Sequence, residues 1–154
     1  MHRLHGVLFF GLVWLPLAGC TSAFDRDWHD YVATGLEDPL VGRWKGFWRS
    51  DKTEHRGDLR CIVSRRAEGR YEARYHATHG EWWTFNFEYT VLMDAKRTGD
   101  VWKLEGSEDL GWAAGGVYHY RGEVSGNEFR CLYSAEEDRG VFELIRYAGE
   151  DPHP

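Results

Sequence analysis

Basic charge, cysteine and helical periodicity are all scarce in this chain of 154 residues, and each shortage removes a class of function. Lysine and arginine number 19 against 25 aspartates and glutamates, a formal charge of −6 with histidine neutral. That balance offers no electrostatic footprint for nucleic acid and no polybasic patch for anionic lipid. The three cysteines stand far apart, at 20, 61 and 131, with no Cys-x-x-Cys pair and no cysteine–histidine spacing of the kind that holds zinc. The histidines in the body of the chain, His55, His76, His79 and His119, show no spacing that would bring three ligands together, so no metal site is expected. There is no Gly-x-Ser-x-Gly, no His-Glu-x-x-His, no phosphate-binding loop and no dinucleotide fingerprint. The acids Glu105, Glu108 and Asp109, and the run Glu136-Glu137-Asp138, read as solvated loop and turn residues rather than as a catalytic carboxylate pair, which needs a fixed separation. We therefore expect no catalytic residue, no cofactor and a non-enzymatic protein.

What the chain does have begins at its N-terminus. A short start with Arg3 is followed by an apolar run, Val7 to Leu17, too short to span a bilayer as a helix, which takes about 20 apolar residues. The run ends in Leu17-Ala18-Gly19-Cys20, an apolar residue and two small ones before a cysteine. This stretch resembles the lipobox of bacterial lipoprotein signal peptides, and the resemblance implies cleavage after Gly19 and acylation of Cys20. The alternative is an ordinary secretory signal cut nearby. Loss of residues 1–19 removes one base, Arg3, and no acid, leaving 18 bases against 25 acids and a charge of −7. Several acyl chains on one cysteine hold a protein at a membrane without help from basic residues. Thr21, rather than Asp, follows the cysteine, and the resemblance then implies outer-membrane sorting in a diderm envelope, facing the periplasm.

An exported chain leaves Cys61 and Cys131 in a compartment that permits disulfides. Each lies in an apolar alternation, Leu59-Arg60-Cys61-Ile62 and Phe129-Arg130-Cys131-Leu132, so a bond between them and a pair of small buried thiols are both open. Residues 20–40 read as a lipidated tether with a short helix over 25–33, stopped by Gly35 and Pro39. From residue 41 to 147 the hydrophobic period is close to two, with strands expected over 41–50, 58–66, 70–78, 83–94, 101–106, 117–124, 128–135 and 141–147. Residues 148–154 form a polar tail. Eight strands with short turns favour one antiparallel up-and-down meander closed into a barrel.

Gly42-Arg43-Trp44-Lys45-Gly46 opens the first of these strands. Gly-x-Trp in that place is similar to the opening motif of lipocalins and calycin-like barrels, in which the tryptophan plugs one end of the barrel and an arginine packs on it. Arg146, in the last strand, is the natural candidate for that partner. The resemblance extends to residues 41–147 in topology alone. Haem-binding barrels of the nitrobindin type open with a similar Gly-x-Trp-x-Gly stretch, and His76 or His119 would then be the iron ligand.

Taking the more apolar face of each strand as inward puts fourteen rings inside: Trp44, Trp48, Tyr71, Tyr75, Trp83, Phe85, Phe87, Tyr89, Trp102, Tyr118, Tyr120, Phe129, Tyr133 and Phe142. Rings that bury about 150 to 250 Å² each nearly fill an eight-stranded barrel, which leaves room for a narrow aromatic slot at most. Trp44, Tyr75, Tyr118 and Tyr120 are the candidate ligand contacts. Trp112, in the glycine-rich loop 107–116, is the candidate contact for a partner or a lid. The expected function is a membrane-anchored lipoprotein whose barrel binds a small apolar or aromatic molecule or an envelope protein. A barrel filled throughout, serving structure alone, is the second reading, and haem or metal binding the third.

Overall fold

The computed structural model describes residues 22–31, 38–79 and 85–149. The expected signal segment, Cys20, Trp83 and the end of the tail lie outside these residues, and of Phe85 only the backbone is described. Helix α1, Ala23–His29, precedes eight strands: β1 Gly42–Ser50, β2 Arg56–Ala67, β3 Arg70–His79, β4 Phe85–Thr98, β5 Val101–Asp109, β6 Val117–Ser125, β7 Glu128–Ser134 and β8 Arg139–Tyr147. A 3-10 turn, Trp112–Ala114, sits between β5 and β6. Every strand pairs antiparallel with its neighbours in sequence, and β1 also pairs with β8, which closes the barrel. The chain is thus the single eight-stranded antiparallel up-and-down barrel that the alternation implies.

Side-chain alternation drives closure. In β2, Leu59, Cys61 and Val63 are buried; in β3, Tyr71, Ala73 and Tyr75; in β7, Phe129, Cys131 and Tyr133. A strand with one apolar face reaches its free-energy minimum only when that face leaves water, and curling eight such strands brings the last one back to pair with the first. Several strands run longer than expected, and β4 continues past the expected residue 94 through Lys96 and Thr98, so that Gly99 and Asp100 alone make the turn. Gly99, at φ 63°, supplies the left-handed backbone that this tight turn requires.

The two ends differ. One is joined by two-residue turns (68–69, 99–100 and 126–127), and there Trp44 and Leu40 are buried. Trp44 donates its Nε1–H to the Leu40 carbonyl at 3.1 Å. This end is shut. The other end carries the longer connections 51–55, 110–116 and 135–138.

Residues 22–31 are not a free tether. Ser22 caps α1 by accepting from the Asp25 backbone N–H at 3.1 Å, which starts the helix two residues before the expected position. Phe24 is 1% exposed and Trp28 0%, because they pack on Ile62, which points outward from β2. Burying each ring stabilises the docked helix by about 2–3 kcal/mol. Arg60 and Arg74 lie over the Phe24 ring and Arg43 over Trp28, while Arg60 and Arg74 also pair with Asp25 and Asp27. The helix is therefore fixed to the outer wall of β1–β3.

Cys61 and Cys131 are free thiols, both buried and both directed inward. The disulfide alternative is thereby corrected. In the order β7-β8-β1-β2 the two strands stand three spacings of about 4.8 Å apart, and their thiols approach only across a packed interior. Burial pushes the Cys131 thiol up to about 12 and raises Cys61 well above its usual range, which favours the protonated thiol at both.

Candidate functional site

The open end of the barrel holds a cavity of about 220 Å³. Towards this end the β4–β5 ladder stops early. That ladder runs from Thr98–Val101 to Met93–Gly106, and among the described residues the stretch 85–92 is paired only with β3. Phe87 and Tyr89 of that stretch form one side of the cavity.

The lining is largely aromatic. Trp48 of β1, Tyr118 and Tyr120 of β6, Tyr133 of β7 and Phe142 of β8 face Phe87 and Tyr89. The rings stack in series: Tyr118 on Tyr120 at 6.3 Å, Tyr120 on Tyr89 at 6.3 Å, and Tyr133 against Phe142 at 4.9 Å. Beneath them lies Tyr75, fully buried, in contact with Tyr89, Tyr120 and Phe142. Leu110 and Ala114 lean in from the long loop.

Polar groups sit at the rim and in one buried pair. The Tyr89 and Tyr120 hydroxyls interact with each other. Burial raises the pKa values of both phenols far above the usual range, so they remain neutral donors and acceptors. Trp48 donates its Nε1–H to the Thr78 carbonyl at 3.0 Å, which fixes the indole across the mouth. His79 packs against Trp48 at 5.6 Å and His55 at 4.7 Å, and its Nδ1 donates to the Arg56 carbonyl at 3.1 Å. Asp138 accepts from the Ser50 hydroxyl at 2.6 Å, the Arg139 backbone N–H at 2.7 Å and the Tyr133 hydroxyl at 3.2 Å.

The sequence-derived candidates separate along the barrel axis. Tyr118 and Tyr120 line the cavity. Trp44 does not reach it: the ring is the plug of the opposite end, T-stacked on Phe129 at 5.5 Å. Tyr75 forms the layer below the cavity floor. Trp112 stands 94% exposed on its 3-10 turn and covers nothing, so the lid alternative for it is corrected. His76 lies under α1 on the outer wall, 5.2 Å from Phe24, and His119 is exposed on the outside, so neither histidine proposed as an iron ligand faces the interior. Among the described residues no group of three or more His, Cys, Asp or Glu is placed to hold a metal ion. Sequence reasoning passed over Asp138 because a charged residue in an acidic turn carries no sign that it will turn back to the rim. The outward Ile62 and His76, flanked by arginines, were the available sign that something covers that wall.

No protein-family model matches the chain, and no curated protein sequence matches it. Among solved structures it is similar to a de novo designed fluorescence-activating β-barrel, with 12% identity, a TM-score of 0.48, and coverage of 71% of this chain and 94% of that one. It is also similar to a mutant of the fluorescent protein UnaG, at 10% identity and TM-score 0.40, covering 72% and 98%. A third likeness is to fatty-acid-binding protein 1 of Echinococcus granulosus, at 16% identity and TM-score 0.37, covering 71% and 98%.

Proposed function

We propose that the barrel is a binding module that takes up one small apolar or aromatic molecule at its open end, without catalysis, while acylated Cys20 anchors the chain to membrane lipid of a bacterial envelope. The observation that carries the first part is an aromatic cup of about 220 Å³ at one end of a barrel whose other end is plugged by Trp44. The volume is below the roughly 300–1,000 Å³ of pockets for drug-sized ligands, so the occupant is small. Ring faces on opposing sides favour a flat molecule that stacks between them. The filled-barrel reading describes the plugged half of the molecule and not the open half.

The anchor rests on the sequence Leu17-Ala18-Gly19-Cys20. Outer-membrane sorting to the periplasmic face follows from Thr21 on the same resemblance. Exposed Trp112, beside cup-lining Ala114, supports a secondary contact with an envelope protein at the same end.

Titration of the full chain with 2-naphthol tests the cup, with tryptophan emission as the readout. Saturable quenching that is weakened in Tyr120→Leu supports the proposal; linear, variant-independent quenching rejects it. The anchor is tested by intact mass of protein taken from membranes. A diacyl or triacyl mass on Cys20, lost in Cys20→Ser, supports it; an unmodified cysteine rejects it.

A further inference from the structure

The chemistry lining the cup narrows its occupant. Aromatic rings present negative π-faces, and a cation set among several of them is bound through their quadrupoles. Trp48, Phe87, Tyr89, Tyr118, Tyr133 and Phe142 surround the space from different strands. The described residues that line it include no lysine or arginine, and one carboxylate, Asp138. Three donors hold that carboxylate in place: the Ser50 hydroxyl, the Tyr133 hydroxyl and the Arg139 N–H. The Tyr118 and Tyr133 phenols are both raised in pKa, first by burial and then by Asp138.

Resting on the binding-module reading above, we propose that the cup selects an organic cation: a small molecule with a quaternary or tertiary ammonium group seated among the rings and facing Asp138. A neutral occupant would cover the Asp138 carboxylate with no opposite charge beside it, its three hydrogen bonds being its whole compensation, whereas a cation supplies that charge. An anion would meet the carboxylate and the π-faces with the same sign of charge. The net negative charge of the chain acts in the same direction, drawing cations toward it at low ionic strength.

The test compares phenyltrimethylammonium with tert-butylbenzene, its neutral isostere with carbon in place of nitrogen, by NMR titration of the full chain. We expect the cation to bind about tenfold more tightly than the isostere. Asp138→Asn, which keeps an acceptor for Ser50, and Tyr118→Leu, at the half-buried rim, should each remove most of that preference, read as the ratio of the two affinities in the same variant. Equal affinity for the two compounds, or a preference untouched by both substitutions, would overturn the cation assignment and leave the cup reading in place. If neither compound shifts any cup resonance, both readings are overturned.

Discussion

The Arg146 guanidinium lies 4.2 Å from the centre of the Trp44 ring, and its N–H groups donate to the carbonyls of Val41, at 2.9 Å, and Pro39. One side chain thus covers the plug and satisfies the backbone that leads into β1. Arg146→Ala should lower stability by about 2–4 kcal/mol, the loss of a partly desolvated cation–π contact and of two charge-assisted hydrogen bonds. Arg146→Lys should recover less than half of this, because an ammonium cannot stack on the indole while reaching two carbonyls. Urea denaturation followed by far-ultraviolet circular dichroism measures both; equal midpoints for Arg146→Ala and wild type would contradict this role.

Gly46 faces the Glu143 backbone so closely that a Cβ would stand 2.0 Å from the Glu143 carbonyl oxygen. Neighbouring backbone cannot yield as a flexible side chain can. Gly46→Ala should therefore destabilise the barrel by about 2–4 kcal/mol, or force β1 and β8 apart. Gly99→Ala, whose Cβ would meet nothing, is the control, with about 1 kcal/mol from its positive φ alone. A smaller loss for Gly46→Ala than for Gly99→Ala would count against the close approach.

His76 links the docking of α1 to pH. Its pKa is lowered from the ordinary 6.5, first by burial and then by the Arg60 charge, which together outweigh Asp25 and Glu88. The unfolded chain then takes up a proton at a higher pH than the folded one. The stability this neutral histidine supports is present in full above about 6.5 and is lost as pH falls through the lowered value. Asp25 is lowered too: burial opposes its charge, and hydrogen bonds from Arg60 and Ser22 prevail, so its contribution fades only below the ordinary 3.8. Urea midpoints between pH 7.5 and 5 should fall for wild type and stay flatter for His76→Gln; parallel curves would contradict the linkage.

The two buried thiols give a counting test. In a Cys20→Ser chain kept unreduced, native protein should show no thiol that reacts within minutes, because burial protonates and hides both sulfurs. After unfolding, two should react. None after unfolding would mean that Cys61 and Cys131 are bonded.

The barrel was legible because period-two alternation is a local signal that survives in almost every strand, and Gly-x-Trp marked the first strand and its plug. Which rings meet a cavity was not legible. Trp44 and Trp48 share a face of β1 and differ only in height, so one is a plug and the other a rim residue, a distinction set by barrel tilt and by where the β4–β5 ladder ends. The docking of α1 also escaped, although Phe24, Trp28 and Tyr31 fall on one helical face. A helix of two turns gains its stability from the wall it covers, and that wall is written in Ile62 and His76, far along the chain.

Tyrosine rings offer the most direct view of binding at the open end. With ring-labelled tyrosine and 2-naphthol added to saturation, the resonances of Tyr89, Tyr118, Tyr120 and Tyr133 should shift together along one isotherm, while Tyr71, at the plugged end, stays still. Shifts in none of these four, or shifts that move Tyr71 as far as Tyr120, would contradict a ligand site in the cup.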